Sequence, residues 1–244
     1  MLRCDIARRS PESAVPHAPS NRAEAGRSEA GRAGYSAIEE LVSSIIHGVG
    51  IVLSIAGLAV LSAHAAPAGD ARHIASVGVY GTTLILLYTA STLYHGVPSE
   101  RAKPLLRQLD HAAIFLLIAG TYTPFTLITL HGAWGWSLFA IVWAIALAGV
   151  AMVMKRIERK GITIALYVGL GWIGLVALGP LVQKLPAGGL WLLFGGGVCY
   201  TLGVPFYLSR RIPFNHALWH LFVLAGSVLQ FFAVLLYVLP HSRA

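Results

Sequence analysis

The chain has 244 residues, of which 56% are hydrophobic and 11% are charged, and its mean hydropathy is +0.69. Soluble domains carry about 25% charged residues, so this composition excludes an ordinary soluble fold and indicates a membrane protein. The net charge of +8 arises mainly from an N-terminal segment and short loops. Basic residues there set membrane orientation, and we therefore expect membrane lipids, and no nucleic acid, as partners.

Residues 1–38 are rich in Ala, Arg, Ser, Pro and Glu and contain no apolar run of signal-peptide length. This composition predicts a disordered cytoplasmic tail. Residues 39–244 then form the transmembrane domain. The first span, which begins near Leu41, is expected to be retained and to act as the insertion signal.

Long continuous apolar runs predict transmembrane helices, because a membrane β-strand shows about 10 residues of alternating polarity instead. A span needs roughly 20 mostly apolar residues. Turn residues or charges separate the runs, and the weakest break, at 131–135, contains no charge. The sequence therefore predicts an all-α, seven-transmembrane helix bundle. The predicted spans are 41–63, 73–95, 108–130, 136–154, 162–182, 189–208 and 216–239.

The distribution of Lys and Arg predicts the orientation of this bundle. With the N-terminus in the cytoplasm, only Arg72, Lys184 and Arg243 of the 18 basic residues lie on the outer side. This distribution follows the positive-inside rule. One span more or fewer would place many of the basic residues on the outer side. We therefore predict a multi-pass protein of the cell (inner) membrane, with its N-terminus cytoplasmic and its C-terminus outside.

Ionisable side chains within spans are functional candidates, because burying them in a bilayer is unfavourable. The predicted topology brings such groups from four spans to the cytoplasmic side. Histidines also occur near the outer ends, so their number does not distinguish the two sides, whereas their spacing does. The inner residues are Glu39, Glu40, His47, Ser91, His95, Asp110, His111, His216 and His220.

Two of these pairs, Ser91 with His95 and His216 with His220, are four residues apart and so lie on one helical face. Two imidazoles at this spacing can reach one Zn²⁺ at about 2.0–2.1 Å. His95 is the candidate third ligand, which leaves the fourth position for water, as in catalytic zinc sites. Asp110 would orient that water and accept its proton, and Ser91 would hydrogen-bond the water or a substrate carbonyl.

The same residues also have simpler interpretations. A His-xxx-His pair on an amphipathic helix does not by itself establish a metal site. His47 and Glu40 are seven residues apart on one face and could simply pair with each other. Glu39 is then a solvated acid that complements the dipole of the first helix, and His111 is an interfacial residue.

Taken together, these motifs resemble the haemolysin III family, within the wider progestin and adipoQ receptor superfamily, over residues 39–239. The motifs are "EELVSSIIHGVG", "STLYHGVPS", "LDHAAIFLLIAGTYTP" and "HALWHLFV". The resemblance implies a seven-helix bundle whose zinc ion is held by His95, His216 and His220, with Asp110 and Ser91 near the metal-bound water.

Glu40 and His47 carry the first-span part of the resemblance, and we expect them to support the ligands from outside the metal's own shell. One departure is visible, because Ser43 stands where the family usually has Asn. The short tail and loops resemble the bacterial branch of the superfamily.

Three functions remain open at this point. The first is a zinc-dependent hydrolase that acts on an amide or ester bond of a membrane lipid. The second is a non-enzymatic membrane sensor or receptor in which zinc has a structural role. The third is cytolysis, which the family name suggests but which is disfavoured because no span carries a continuous polar stripe to line a pore.

Overall fold

The structure is a computed structural model that describes residues 36–68, 70–209 and 211–240. The predicted tail, residues 1–38, thus lies outside the described residues except for its last three. Of these, Ala37 and Ile38 are the first residues of the first helix.

Every regular element in these described ranges is helical, and seven helices are long and apolar enough to cross a bilayer. The predicted seven-helix fold is therefore confirmed. The ends differ from the predicted ones by at most five residues, because interfacial polar residues continue the helices beyond their apolar runs. In chain order, the spans are Ala37–Ala65, Ala71–Gly96, Lys103–Leu130, Gly132–Met154, Lys160–Lys184, Ala187–Leu208 and Asn215–Val238.

The third span lies at the centre of the bundle. Its apolar window is 72% buried, compared with 50% for the second span and 39% for the seventh, and the fifth and sixth are only 17% buried. Consecutive spans pack against each other from the first to the fourth, and the seventh packs against both the sixth and the first. The three most enclosed spans are also those that carry the predicted ligands and Asp110.

The sixth and seventh spans approach each other through a glycine pair. A Cβ atom built on Gly196 would lie 3.0 Å from the carbonyl oxygen of Gly226, and a Cβ atom on Gly226 would lie equally close to the carbonyl oxygen of Gly196. Small residues permit such close backbone contact between membrane helices. This contact fixes the position of the seventh span, which carries two of the predicted ligands.

The fifth span is interrupted, which the sequence analysis did not predict. Its α-helix ends at Trp172, a 3₁₀ segment runs over Ile173–Ala177, and a short α-helix follows at Leu178–Lys184. Pro180 accounts for the break, because its ring clashes with the carbonyl four residues earlier and it has no N–H to donate. Backbone polar groups freed at this depth require other partners.

Tyr122 of the third span supplies those partners. Its hydroxyl donates to the carbonyl oxygen of Gly171 at 2.7 Å and accepts from the N–H of Gly174 at 2.9 Å. One side chain thus pairs with backbone groups on both sides of the point where the helix changes form.

We predict that Tyr122→Phe destabilises the bundle by about 1–3 kcal/mol, because two backbone groups lose their partner in a region without water. Thermal unfolding of the purified protein in detergent measures this change. Thr82→Val, on the exposed face of the second span, is the control and should leave the unfolding temperature unchanged. Equal unfolding temperatures for both variants would contradict the role given to Tyr122.

Candidate metal centre

The three predicted ligands lie together. His95 is in the last turn of the second span, and His216 and His220 are in the first two turns of the seventh. All three are buried, and each offers one ring nitrogen within 4.8 Å of the others. The four-residue spacing of the seventh-span pair therefore has the geometric effect that the sequence predicts.

The distances between these nitrogens suit a single metal ion. His95 Nε2 lies 3.1 Å from His216 Nε2 and 3.1 Å from His220 Nε2. Two nitrogens bound tetrahedrally to Zn²⁺ at about 2.0–2.1 Å would lie about 3.3 Å apart. A neutral imidazole directs one lone pair outward, and three lone pairs converging in a buried site are the donor set of a metal centre.

Glu40 of the first span fixes the protonation of His95. A carboxylate only accepts hydrogen bonds, so His95 Nδ1, 3.0 Å from Glu40 Oε2, carries the proton and donates it. Its Nε2 then directs its lone pair toward the other two imidazoles. This carboxylate–histidine arrangement is common behind metal ligands, where it fixes the tautomer and the ring orientation.

Lys103 completes this pairing from the start of the third span. Its ammonium group donates to Glu40 Oε2 at 3.0 Å and to the carbonyl oxygen of Tyr94 at 2.6 Å. The lysine therefore holds the Glu40 carboxylate in position. Sequence reasoning missed it, because a lysine at the cytoplasmic end of a span is also what the positive-inside rule predicts.

Glu39 has a different role from the one predicted. It is buried, and its Oε1 accepts from the backbone N–H of His216 at 3.0 Å. Phe214, at the N-cap of the seventh span, supplies no side-chain hydrogen bond, so an acid 177 residues away in sequence takes over this function. The interpretation of Glu39 as a solvated acid is wrong.

His47 lies beside the ligands without belonging to their group. Its ring centroid is 3.8 Å from that of His220 and 5.0 Å from that of Tyr88. The suggested pairing of His47 with Glu40 is wrong, because the Glu40 carboxylate binds His95 and Lys103 instead.

Asp110 and Ser91 lie on the third and second spans, and both are buried. Asp110 is next to Ser91 and within electrostatic range of His95, so the central span contributes a carboxylate close to the ligands. His111, the neighbour of Asp110, is engaged elsewhere. Its Nδ1 lies 2.7 Å from the carbonyl oxygen of Arg107, and its Nε2 lies 3.4 Å from the Tyr207 hydroxyl.

Comparison with known proteins agrees with this architecture. A family model described as Haemolysin-III related matches residues 35–231. "Hemolysin-3" of Bacillus cereus is 47% identical over 206 residues, which cover 84% of this chain and 94% of the relative. "Hemolysin-3 homolog" of Bacillus subtilis (strain 168) is 43% identical over 200 residues, or 82% and 94% of the two chains.

A human protein is similar at greater distance. "Monocyte to macrophage differentiation factor" of Homo sapiens is 28% identical over 169 residues, which cover 66% of this chain and 69% of the relative.

We predict that the purified protein contains about one zinc ion per chain and that His95→Ala and His216→Ala each abolish this content. Elemental analysis of protein purified without added metal measures it. His111→Ala, with a ring engaged outside the group, is the matched control and should retain the metal. Unchanged metal content in the two ligand variants would refute the shared site.

We also predict that Glu40→Gln weakens metal binding about 10–100-fold, because the amide cannot replace the carboxylate behind His95. Competition with a chelator of known affinity measures the change. Glu100→Gln, in the exposed loop before the third span, should bind the metal as the unaltered protein does.

Proposed function

This chain belongs to the haemolysin III family, and we propose that it is a zinc-dependent hydrolase that cleaves an amide or ester bond of a membrane lipid near the cytoplasmic face. The observation that carries this proposal is the composition of the ligand group. Within the described ranges, no Cys, Asp or Glu joins the three histidines as a fourth close donor. Three protein ligands with one open position are typical of catalytic zinc sites, whereas structural sites are usually closed.

The residues beside the ligands suit hydrolysis. Bound Zn²⁺ would supply Lewis-acid chemistry, polarising a carbonyl group and activating water. Asp110 accepts the proton of the attacking water and returns it to the departing amine or alcohol. Ser91 donates a hydrogen bond that orients the carbonyl oxygen. The C–N or C–O bond breaks, and a carboxylic acid and an amine or alcohol are released.

The depth of the site favours a lipid substrate. The ligands lie at the cytoplasmic ends of their spans, where the hydrocarbon core meets the headgroup region. The ester and amide carbonyls of membrane lipids lie at the same boundary. A lipid substrate would therefore approach the centre from within the bilayer.

We predict that purified protein turns over at least one component of a total lipid extract and that His220→Ala and a chelator each abolish this activity. Asp110→Asn should lower it about 10²–10⁴-fold, because the proton acceptor is lost. Mass spectrometry of the lipids before and after incubation measures both effects.

His131→Ala, at the opposite end of the bundle, is the control and should remain active. Activity that persists in His220→Ala, or after the metal is removed, would exclude this mechanism.

A structural role for the metal is the second candidate, and one observation favours it. The three ligands come from the second and seventh spans, so a bound ion would fasten these spans together. Strong thermal stabilisation by zinc, with no lipid consumed, would support a sensor or receptor instead of an enzyme.

The names of the two bacterial relatives also raise cytolysis as a function. Leakage of a dye from liposomes that contain the purified protein tests it directly. Leakage that is unaffected by His220→Ala would separate cytolysis from the metal centre.

A further inference from the structure

Two lysine–tyrosine pairs flank the ligand histidines. Lys103 Nζ lies 4.9 Å from the ring centre of Tyr94, and that ring is 4.7 Å from the ring of His95. Lys160 Nζ lies 4.9 Å from the ring centre of Tyr207, and that ring is 5.9 Å from the ring of His216. The order cation, tyrosine, ligand thus occurs twice, built from different spans.

Arg107 is the third cation of this region. It is exposed at the cytoplasmic end of the third span and lies near both Tyr94 and Tyr207. It also acts on Asp110, one helical turn further along the span. We call Lys103, Arg107 and Lys160 the basic rim, since all three lie beside the metal centre on its cytoplasmic side.

The charges of the rim are only partly neutralised. Lys103 pairs with Glu40, but within the described ranges neither Arg107 nor Lys160 forms an ion pair with an acid. The positive-inside rule explains why basic residues lie on this face. The rule does not explain why Lys103 and Lys160 lie against the two tyrosines that contact the ligand histidines.

We propose that the basic rim selects lipids whose headgroup carries an oxyanion, a phosphate or a carboxylate, close to the scissile carbonyl. This proposal rests on the hydrolase function proposed above and names the substrate class of the same site. Arg107 offers a planar, paired set of donors for an oxyanion, and Lys160 adds a compact positive charge. The oxyanion is held by these two side chains while the scissile carbonyl lies at the ligand histidines.

The spacing agrees with such a substrate. Only one tyrosine ring separates each lysine from its ligand histidine. In a phospholipid or an N-acylated amino acid, the anionic group and the ester or amide carbonyl are likewise only a few bonds apart. A ceramide or another neutral lipid has no group for Arg107 and Lys160 to bind.

The test compares lipids that share acyl chains and differ in charge. The probes are phosphatidylglycerol and an N-acylglycine, which carry an oxyanion, and a diacylglycerol and ceramide, which carry none. Zinc-loaded protein is used for turnover and metal-free protein for binding. We expect the double variant Arg107→Gln/Lys160→Gln to raise KM, and to weaken binding to the metal-free protein, about tenfold or more for the two anionic lipids. We expect kcat, zinc content and handling of the neutral lipids to change little.

Arg101→Gln/Lys155→Gln is the matched control, because it removes two exposed cytoplasmic charges outside the rim. Equal effects of the two double variants would overturn the proposal, since general surface charge would then suffice. Equal binding of neutral and anionic lipids would overturn it as well. Full displacement of the lipid by millimolar inorganic phosphate would assign the rim to a soluble anion and not to a headgroup.

The two proposals fail in different ways. Turnover without any headgroup preference would contradict the selective role of the basic rim and would still support the hydrolase function. The opposite outcome is selective binding of anionic lipids, lost in the rim variant, with no turnover of any probe. That outcome would support the role of the rim and contradict the hydrolase function.

Discussion

The group of three histidines that could bind a metal ion depends on two adjacent carboxylates at the start of the first span. Glu40 orients His95 through its Nδ1–H, and Glu39 accepts from the first turn of the seventh span, at His216. Successive residues of a helix point about 100° apart, so neighbouring acids can reach different spans. In a low-dielectric interior these charge-assisted hydrogen bonds are strong, and an unpaired partner would be destabilising. The first span thus holds both ligand-bearing spans in register, although it supplies no ligand itself.

The packing of the bundle also encloses the spans that carry the three histidines and Asp110. The third span, which carries Asp110, is the most enclosed, and the second and seventh lie next in burial. Polar side chains are therefore concentrated on the helices farthest from lipid, where they find partners within the protein. The fifth and sixth spans are mostly exposed, and the break in the fifth is tolerated because Tyr122 pairs with its freed backbone groups. Irregular backbone at membrane depth occurs here where the protein itself satisfies it.

Local sequence patterns predicted much of this arrangement, and long-range contacts did not follow from them. The seven spans follow from bilayer thickness, and the pairing of His216 with His220 follows from helical periodicity. The cap at Glu39 has no local signature, because its partner is 177 residues away. The same holds for Lys103, whose position has an ordinary explanation in membrane orientation. Pro180 is a local signal for the break in the fifth span. Proline is tolerated in membrane helices, however, so its presence alone does not predict a break.

The contact between Glu39 and His216 joins residues that are made at very different times during biosynthesis. The first span leaves the ribosome long before the seventh, and at about 5–20 residues per second the intervening 177 residues take about 9–35 s to translate. In the later part of that interval, His95 has been made while the other two imidazoles have not. The centre is thus completed only when the last helix inserts. A metal ion that needs all three histidines could therefore bind only after the seventh span has been made.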